Sequence, residues 1–190
     1  MHSNSFNFLD KLIAHLRSRE LIKNFSLKNK KILDFGCGSD FKTLKELYKD
    51  CEKITLVDSA GDNFEDGQIT FINYQNDLNT LKEKIKKNFY DLIILSAVVE
   101  HLDSPHEIIN ILKNKLNYNG CIFLTAPGKK SKVILEFLGF RLKIINGDLV
   151  KEHKRYYDLE EYKKLSELVN MDIKKIYFFQ FGLNTVCILR

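Results

Sequence analysis

The residues of this chain best placed to do chemistry are Asp34, Gly36, Gly38 and Asp58. The first three belong to the run Ile32-Leu33-Asp34-Phe35-Gly36-Cys37-Gly38-Ser39, in which apolar residues give way to an acid and two spaced glycines. That order ends a buried strand in a turn tight enough for backbone to press against a ligand, and glycine permits the turn at low steric cost. Twenty residues past Gly38, a second apolar run, Ile54-Thr55-Leu56-Val57, ends at Asp58. A glycine-rich turn after one strand, with an acid at the tip of the next, is how doubly wound folds hold an adenosine ribose. A carboxylate suits that task because it only accepts hydrogen bonds and can take both ribose hydroxyls.

The elements that must position these residues can be read from periodicity. Phe8, Leu9, Leu12, Ile13 and Leu16 have helical spacing and predict an opening amphipathic helix over about 5–18. Strands are expected at Ile32–Phe35, Ile54–Val57 and Ile69–Ile72, with a helix marked by Leu44, Leu47 and Tyr48 after the first. Leu78, Leu81 and Ile85 suggest a short lysine-rich helix, and Tyr90–Leu95 is a nearly continuous apolar run, as for a strand covered on both faces. Ser104-Pro105-His106-Glu107 is a helix start, with Ser as N-cap and Pro at the first helical position. Asn119-Gly120 is expected to turn the chain into a strand at Cys121–Thr125, and Asp158-Leu159-Glu160-Glu161 repeats a capping-box pattern. Ile173–Phe181 and Leu183–Leu189, split by Gly182, read as a closing hairpin. Strands alternating with helices predict an α/β fold: a Rossmann-like, doubly wound, mostly parallel sheet with a C-terminal antiparallel hairpin.

Composition narrows the function. With 190 residues, 44% hydrophobic and 29% charged, the chain fits one domain with a proper core. The formal net charge of +5 is spread through mixed runs such as Lys82-Glu83-Lys84, without an Arg-rich stretch or any Trp, which argues against a nucleic-acid partner. Cys37, Cys51, Cys121 and Cys187 stand far apart, with no CxxC pair and no His at ligand spacing. That spacing favours a reducing, cytoplasmic setting over a zinc site or disulfide framework. The N-terminus lacks a signal-peptide pattern and no run approaches a membrane span.

Five segments, in this order, resemble the motifs of class I S-adenosylmethionine-dependent methyltransferases, of the small type 11/12-like kind. Residues 32–39 look like their first motif and Leu56-Val57-Asp58 like their second; Asn76-Asp77-Leu78-Asn79 is similar to the segment that meets adenine. Residues 90–102, ending in Glu100-His101-Leu102, look like the fourth motif, and residues 152–162 are similar to the segment leading into the last helix. The resemblance implies S-adenosylmethionine as cofactor, held by Asp34, Gly36, Cys37, Gly38, Asp58, Ser59, Asp77, Leu78 and Ser96. It also implies a single methyltransferase domain over 1–190, with an acceptor segment at 127–157. One departure is Asp40, where the family commonly has a third glycine.

Plainer readings stand beside these. Asp34 could cap the turn rather than orient the methionine amine, and Asp77 could be the N-cap of its helix, with Asn76 serving adenine instead. His101 and His153 are the candidate bases for a hydroxyl acceptor, since histidine takes a proton near neutral pH; Glu-His-Leu could equally hold a helix start. Lys129, Lys130, Lys132, Lys151, Lys154 and Arg155 form either a solvated rim or one that attracts an acidic small molecule, such as a sugar, lipid or glycan precursor. No metal cluster is visible in the sequence, so metal-independent transfer is expected. The alternatives are a non-catalytic cofactor-binding partner subunit and a nicotinamide-dependent oxidoreductase. Against the latter stands bulky Phe41, where pyrophosphate binding normally requires a third glycine.

Overall fold

The computed structural model describes residues 8–38, 45–131 and 154–190. In chain order the elements are α1 (Phe8–Asn24), β1 (Lys31–Phe35), β2 (Lys53–Asp58), β3 (Phe64–Asp66), β4 (Ile69–Asn73), α2 (Leu78–Lys84), β5 (Tyr90–Ser96), α3 (Pro105–Lys113), β6 (Leu116–Pro127), α4 (Leu159–Val169), β7 (Ile173–Phe179) and β8 (Asn184–Leu189). A further helical turn covers 45–47. The strands form one sheet of order β3-β4-β2-β1-β5-β6-β8-β7. β4, β2, β1, β5 and β6 run parallel, whereas β3, β8 and β7 are antiparallel to their neighbours.

Side-chain alternation splits the core into two layers. Ile93 and Leu95 of β5 face a cluster that holds Ile109 and Leu112 of α3 with Tyr162, Leu165 and Val169 of α4. Leu92 and Ile94 face the opposite cluster, with Leu21 of α1, Tyr48 and Phe123. A period of two in a strand buried on both sides produces this division, and it explains the unbroken apolar run of β5.

The chain builds outward from β1 to β2 and β4, then returns to lay β5 on the other flank of β1. The carboxyl ends of β1 and β5 therefore diverge at the topological switch point, where open α/β sheets place their ligands. The fold class expected from sequence is the one found, and the hairpin closes through a turn at 180–183.

Three local expectations needed adjustment. α1 continues to Asn24, beyond the charged Arg17-Ser18-Arg19-Glu20 run, because Leu21 is buried under it. The Tyr177 hydroxyl of β7 also donates to Glu20 (2.6 Å) and accepts from Asn24 (2.7 Å). Asn119-Gly120 does not precede β6 but lies within it, in a bulge where the register with β5 jumps between Tyr90 and Leu92. Gly120 is needed there because a Cβ would come within 2.7 Å of the Tyr90 carbonyl oxygen, a close backbone approach rather than a turn. Ser104 precedes α3 with Pro105 at its first turn, yet the serine side chain makes no capping hydrogen bond.

The capping box at Asp158 is complete. Its carboxylate accepts from the Glu160 (3.0 Å) and Glu161 (3.3 Å) amides, Glu161 reaches back to the Asp158 amide, and Lys129 Nζ lies 2.8 Å from the same carboxylate. Asp158→Ala should lower stability by about 1–2 kcal/mol, seen in urea unfolding as a lower midpoint with an unchanged slope.

Candidate functional site

The turn after β1 is held from two sides. The Gly36 amide donates to the Val57 carbonyl (2.7 Å), and the Gly38 amide donates to Asp58 Oδ2 (2.9 Å). The other Asp58 oxygen accepts from the amides of Ser59 (2.8 Å) and Ala60 (3.2 Å). Gly36 has φ +74°, and a Cβ there would overlap the methyl groups of Val98. Gly38, at φ +70°, has no atom of the described residues within 4 Å of where its Cβ would sit. Val98 is delivered to Gly36 by Ala97, a non-glycine residue at φ +58° directly after β5. That conformation costs about 1–2 kcal/mol for an L-residue, and the Ala97 amide is anchored to the Thr125 carbonyl at 2.9 Å.

Between the ends of β1 and β5 lies a cavity of about 160 Å³. Four of the expected residues line it: Asp34, Gly36 and Cys37 from the end of β1 and the turn after it, and Ser96 from the end of β5. Arg17 and Ser18 of α1 form another wall, and Tyr48 another. A larger cavity, about 450 Å³, opens between Asn170, Ile173 and Arg190 at the opposite end of the strands, away from the switch point.

Electrostatics at the cavity are unusual. Asp34 is buried and accepts from the Tyr48 hydroxyl at 2.7 Å. Burial raises its carboxyl to about 6, with the Tyr48 hydrogen bond opposing the rise and the Asp58 charge adding to it. Burial likewise pushes the Cys37 thiol far up, helped by the Asp34 and Asp58 charges, so this cysteine is a protonated wall rather than a nucleophile. Ser96 Oγ pairs with Thr125 Oγ1 at 3.0 Å.

The remaining expected residues lie outside this cavity. Ser59 follows Asp58 on the exposed rim. Asp77 is the N-cap of α2, accepting from Asn79 N (3.0 Å), Thr80 N (3.2 Å) and Thr80 Oγ1 (2.9 Å). These bonds, led by the Asn79 amide, hold its carboxyl below the usual range. Leu78 packs on the core behind it. His101 sits half-buried on the loop after β5, its amide bonded to the Val98 carbonyl at 3.0 Å. His153, Asp40, Phe41, Lys132 and Lys151 fall outside the described residues. Of the basic rim, Lys129 is engaged by Asp158 (2.8 Å) and Glu161 (2.9 Å) and Lys154 by Asp103 (2.6 Å). Arg155 donates to the Leu102 carbonyl at 3.0 Å.

Sequence reasoning missed Arg17, Ser18, Tyr48 and Glu100. Arg17 and Ser18 sit in the charged run at the end of the expected opening helix, and the spacing of Tyr48 indicates only helix packing. Glu100, within the Glu-His-Leu segment, is 0% exposed. Neither of its carboxylate oxygens has a hydrogen-bond partner among the described residues. Desolvation raises it to about 7, with the Arg17 charge pulling the other way.

Because the folded protein holds the Asp34 proton more tightly than the unfolded chain, this group's contribution to stability falls as pH rises from about 4 to about 6 and stays low above that. Asp34→Asn keeps a partner for Tyr48 and removes the titration. Its stability relative to the wild type should therefore improve by on the order of 2–3 kcal/mol between pH 4 and pH 7.5, read by denaturant unfolding at both pH values.

Comparison with known proteins converges on one family. Residues 5–175 match a methyltransferase domain family. The chain is 28% identical over 179 residues to the ubiquinone biosynthesis O-methyltransferase of Glaesserella parasuis, covering 84% of this chain and 72% of that protein. The Rickettsia typhi protein of the same name is 24% identical, with 90% and 74% covered. A SAM-dependent methyltransferase from Archaeoglobus fulgidus superposes with a TM-score of 0.66 at 19% identity, over 93% of this chain and 92% of that one. The plantazolicin methyltransferase, solved with S-adenosylhomocysteine, gives a TM-score of 0.64 at 17% identity, with 92% and 80% covered. The chain thus belongs to the class I S-adenosylmethionine-dependent methyltransferases.

Proposed function

We propose that this methyltransferase modifies a hydroxyl of a small-molecule acceptor and that the switch-point cavity takes the methionine end of its donor. The observation that carries the reading is the meeting of Asp34, Gly36, Cys37, Ser96 and Arg17 around one cavity, with Gly38 and the Asp58 carboxylate beside it. At about 160 Å³ the cavity is smaller than a pocket for a whole drug-sized ligand, roughly 300 Å³ or more, so it suits one end of an adenosyl amino acid.

The residues fit such a group part by part. Asp58 has three N–H donors on its two oxygens, which leaves a further acceptor position and the negative charge for the ribose hydroxyls. Ser59 borders the same ribose rim. Asp34 offers its second oxygen to the methionine ammonium, and Arg17 offers a guanidinium to the methionine carboxylate. Asp77, despite its capping bonds, keeps acceptor capacity for the adenine amine, and Leu78 gives an apolar contact. The bound donor supplies an electrophilic methyl carbon on a sulfonium, displaced in line by the acceptor. The protein aligns the reactants and excludes water, and orientation of this kind is worth about 7–11 kcal/mol. His101, on the loop after β5, is the described candidate to take the hydroxyl proton, and His153 remains a second.

The relatives named as ubiquinone biosynthesis O-methyltransferases support hydroxyl chemistry and a lipid-type precursor over a sugar or glycan. An acidic acceptor draws less support, since Lys129 and Lys154 are each engaged by carboxylates. A single domain acting in the cytoplasm is part of the same reading: all four cysteines are free, as in a reducing compartment. Among the described residues no helix is long and apolar enough to cross a membrane.

Calorimetric titration with S-adenosylmethionine, S-adenosylhomocysteine and NAD should show binding of the first two and none of the third. Asp58→Ala should weaken S-adenosylhomocysteine by about 10- to 100-fold, the worth of a charged hydrogen bond. Tight NAD binding, or an Asp58→Ala protein with unchanged affinity, would refute the reading. Labelled methyl transfer to a panel of phenols, sugars and amines tests the acceptor class.

A further inference from the structure

α1 reaches from the switch-point cavity to the outer strand of the sheet. Arg17, Ser18 and Leu21 form its wall of the cavity. About one turn further along, the helix is tied to Tyr177 of β7, the edge strand. The Tyr177 hydroxyl donates to Glu20 Oε2 (2.6 Å) and accepts from Asn24 Nδ2 (2.7 Å), which also donates to the Glu20 carbonyl (2.7 Å). The Glu20 side chain is 16% exposed, so this bonding is largely shielded from water. Lys175 of the same strand donates to Asn24 Oδ1 at 2.8 Å. The ammonium groups of Lys23 and Lys175 lie 5.4 and 5.1 Å from the centre of the Tyr177 ring, one cation from each element. Burial and the Glu20 hydrogen bond push the Tyr177 hydroxyl up to about 12, so it keeps its proton and stays a donor to Glu20 at neutral pH.

Leu21 is the one buried side chain of α1 among those described, residues 15–24. Apolar contact is non-directional and does not fix the rotation of a helix about its axis, whereas hydrogen bonds are directional. Arg17, Glu20 and Asn24 lie at spacings of three and four, on one stripe of the helix. Bonds that orient Glu20 and Asn24 therefore orient Arg17, and Ser18 beside it. Phe in place of Tyr177 would keep the ring but leave the Glu20 carboxylate with the exposed Lys23 at 3.5 Å. Resting on the donor-site reading above, we infer that Tyr177 is a positioning residue for donor binding, whose hydroxyl latches α1 in the rotation that sets Arg17 and Ser18 against the amino-acid end of the donor. The latch stands 157 residues along the chain from Glu20, in the C-terminal hairpin. Tyr177 does not itself line the cavity.

The test uses two ligands that differ in the tail. S-adenosylhomocysteine carries the amino-acid end, whereas 5′-methylthioadenosine keeps the nucleoside thioether and lacks that end. Affinities of the full chain and its variants are measured by calorimetry for each, with thermal melts as a folding control. Tyr177→Phe should weaken S-adenosylhomocysteine about tenfold, as for loss of a hydrogen bond to a charged group, and leave 5′-methylthioadenosine within about twofold. Glu20→Ala should show the same selective loss, and the double variant should be no worse than either single one, because both remove one contact. Glu20→Gln keeps an acceptor for the hydroxyl and should retain most of the S-adenosylhomocysteine affinity. Should Tyr177→Phe not fold, Glu20→Ala and Glu20→Gln carry the comparison. Hydrogen exchange should be faster at the amides of residues 20–24 in Tyr177→Phe than in the wild type, and unchanged in β1 and β5. Equal weakening of both ligands by Tyr177→Phe would reduce Tyr177 to fold support and overturn the inference. Unchanged affinity for S-adenosylhomocysteine in that variant would overturn the inference alone. A wild-type protein that binds neither ligand would overturn the donor-site reading and the inference with it.

Discussion

One hydrogen bond organises the donor side of this protein: the Gly38 amide donating 2.9 Å to Asp58. It joins the tips of adjacent parallel strands that are already in register from Lys31↔Lys53 to Phe35↔Val57. The bond requires the turn after β1 to pass close over the end of β2, which in turn requires positive φ at Gly36 and Gly38. Val98 then fills the space that a side chain at residue 36 would have taken. Glycine, valine and aspartate are thus coupled by contact across three strands, and no described residue fills the space beside Gly38.

The second organising feature is buried negative charge on both flanks of the switch point. Asp34 has Tyr48 as a hydrogen-bond donor, whereas Glu100 has no such donor among the described residues. Both are pushed upward by desolvation, to about 6 and about 7. Charges of this kind oppose stability near neutral pH, and Asp34 lines a cavity that also holds Arg17. The lining of the cavity thus carries both signs of charge, Asp34 from the end of β1 and Arg17 from α1.

Much of the fold was legible because local rules and tertiary packing agree. The capping box at Asp158, the proline at the start of α3 and the apolar run of β5 each form as their sequences indicate. Disagreement arose where a residue type serves two physical purposes. Gly120 reads as a turn from composition, yet it is needed for close approach to the Tyr90 carbonyl. Lys129 and Lys154 read as a basic rim, yet each lies against carboxylates supplied by another segment. Asp77 reads equally as cap or ligand, and the cap is made. Likewise the end of α1 could not be read from its charged run, because what prolongs the helix is Leu21 under it and Tyr177 from the far end of the chain.

The sequence by itself determined the strand–turn–strand unit around Gly36, Gly38 and Asp58, and with it an adenosine-type ligand. Those residues are joined by short-range chain geometry and adjacent-strand pairing, so their spacing carries the information. The tertiary structure decided which side chains complete the site. Arg17 comes from α1 and Tyr48 from just past the helical turn at 45–47, and no periodicity links them to the end of β1. Whether a charged residue is solvated or buried against an opposite charge depends on what the fold packs over it. For Glu100 that decision was burial: its carboxylate is enclosed and has no hydrogen-bond partner among the described residues.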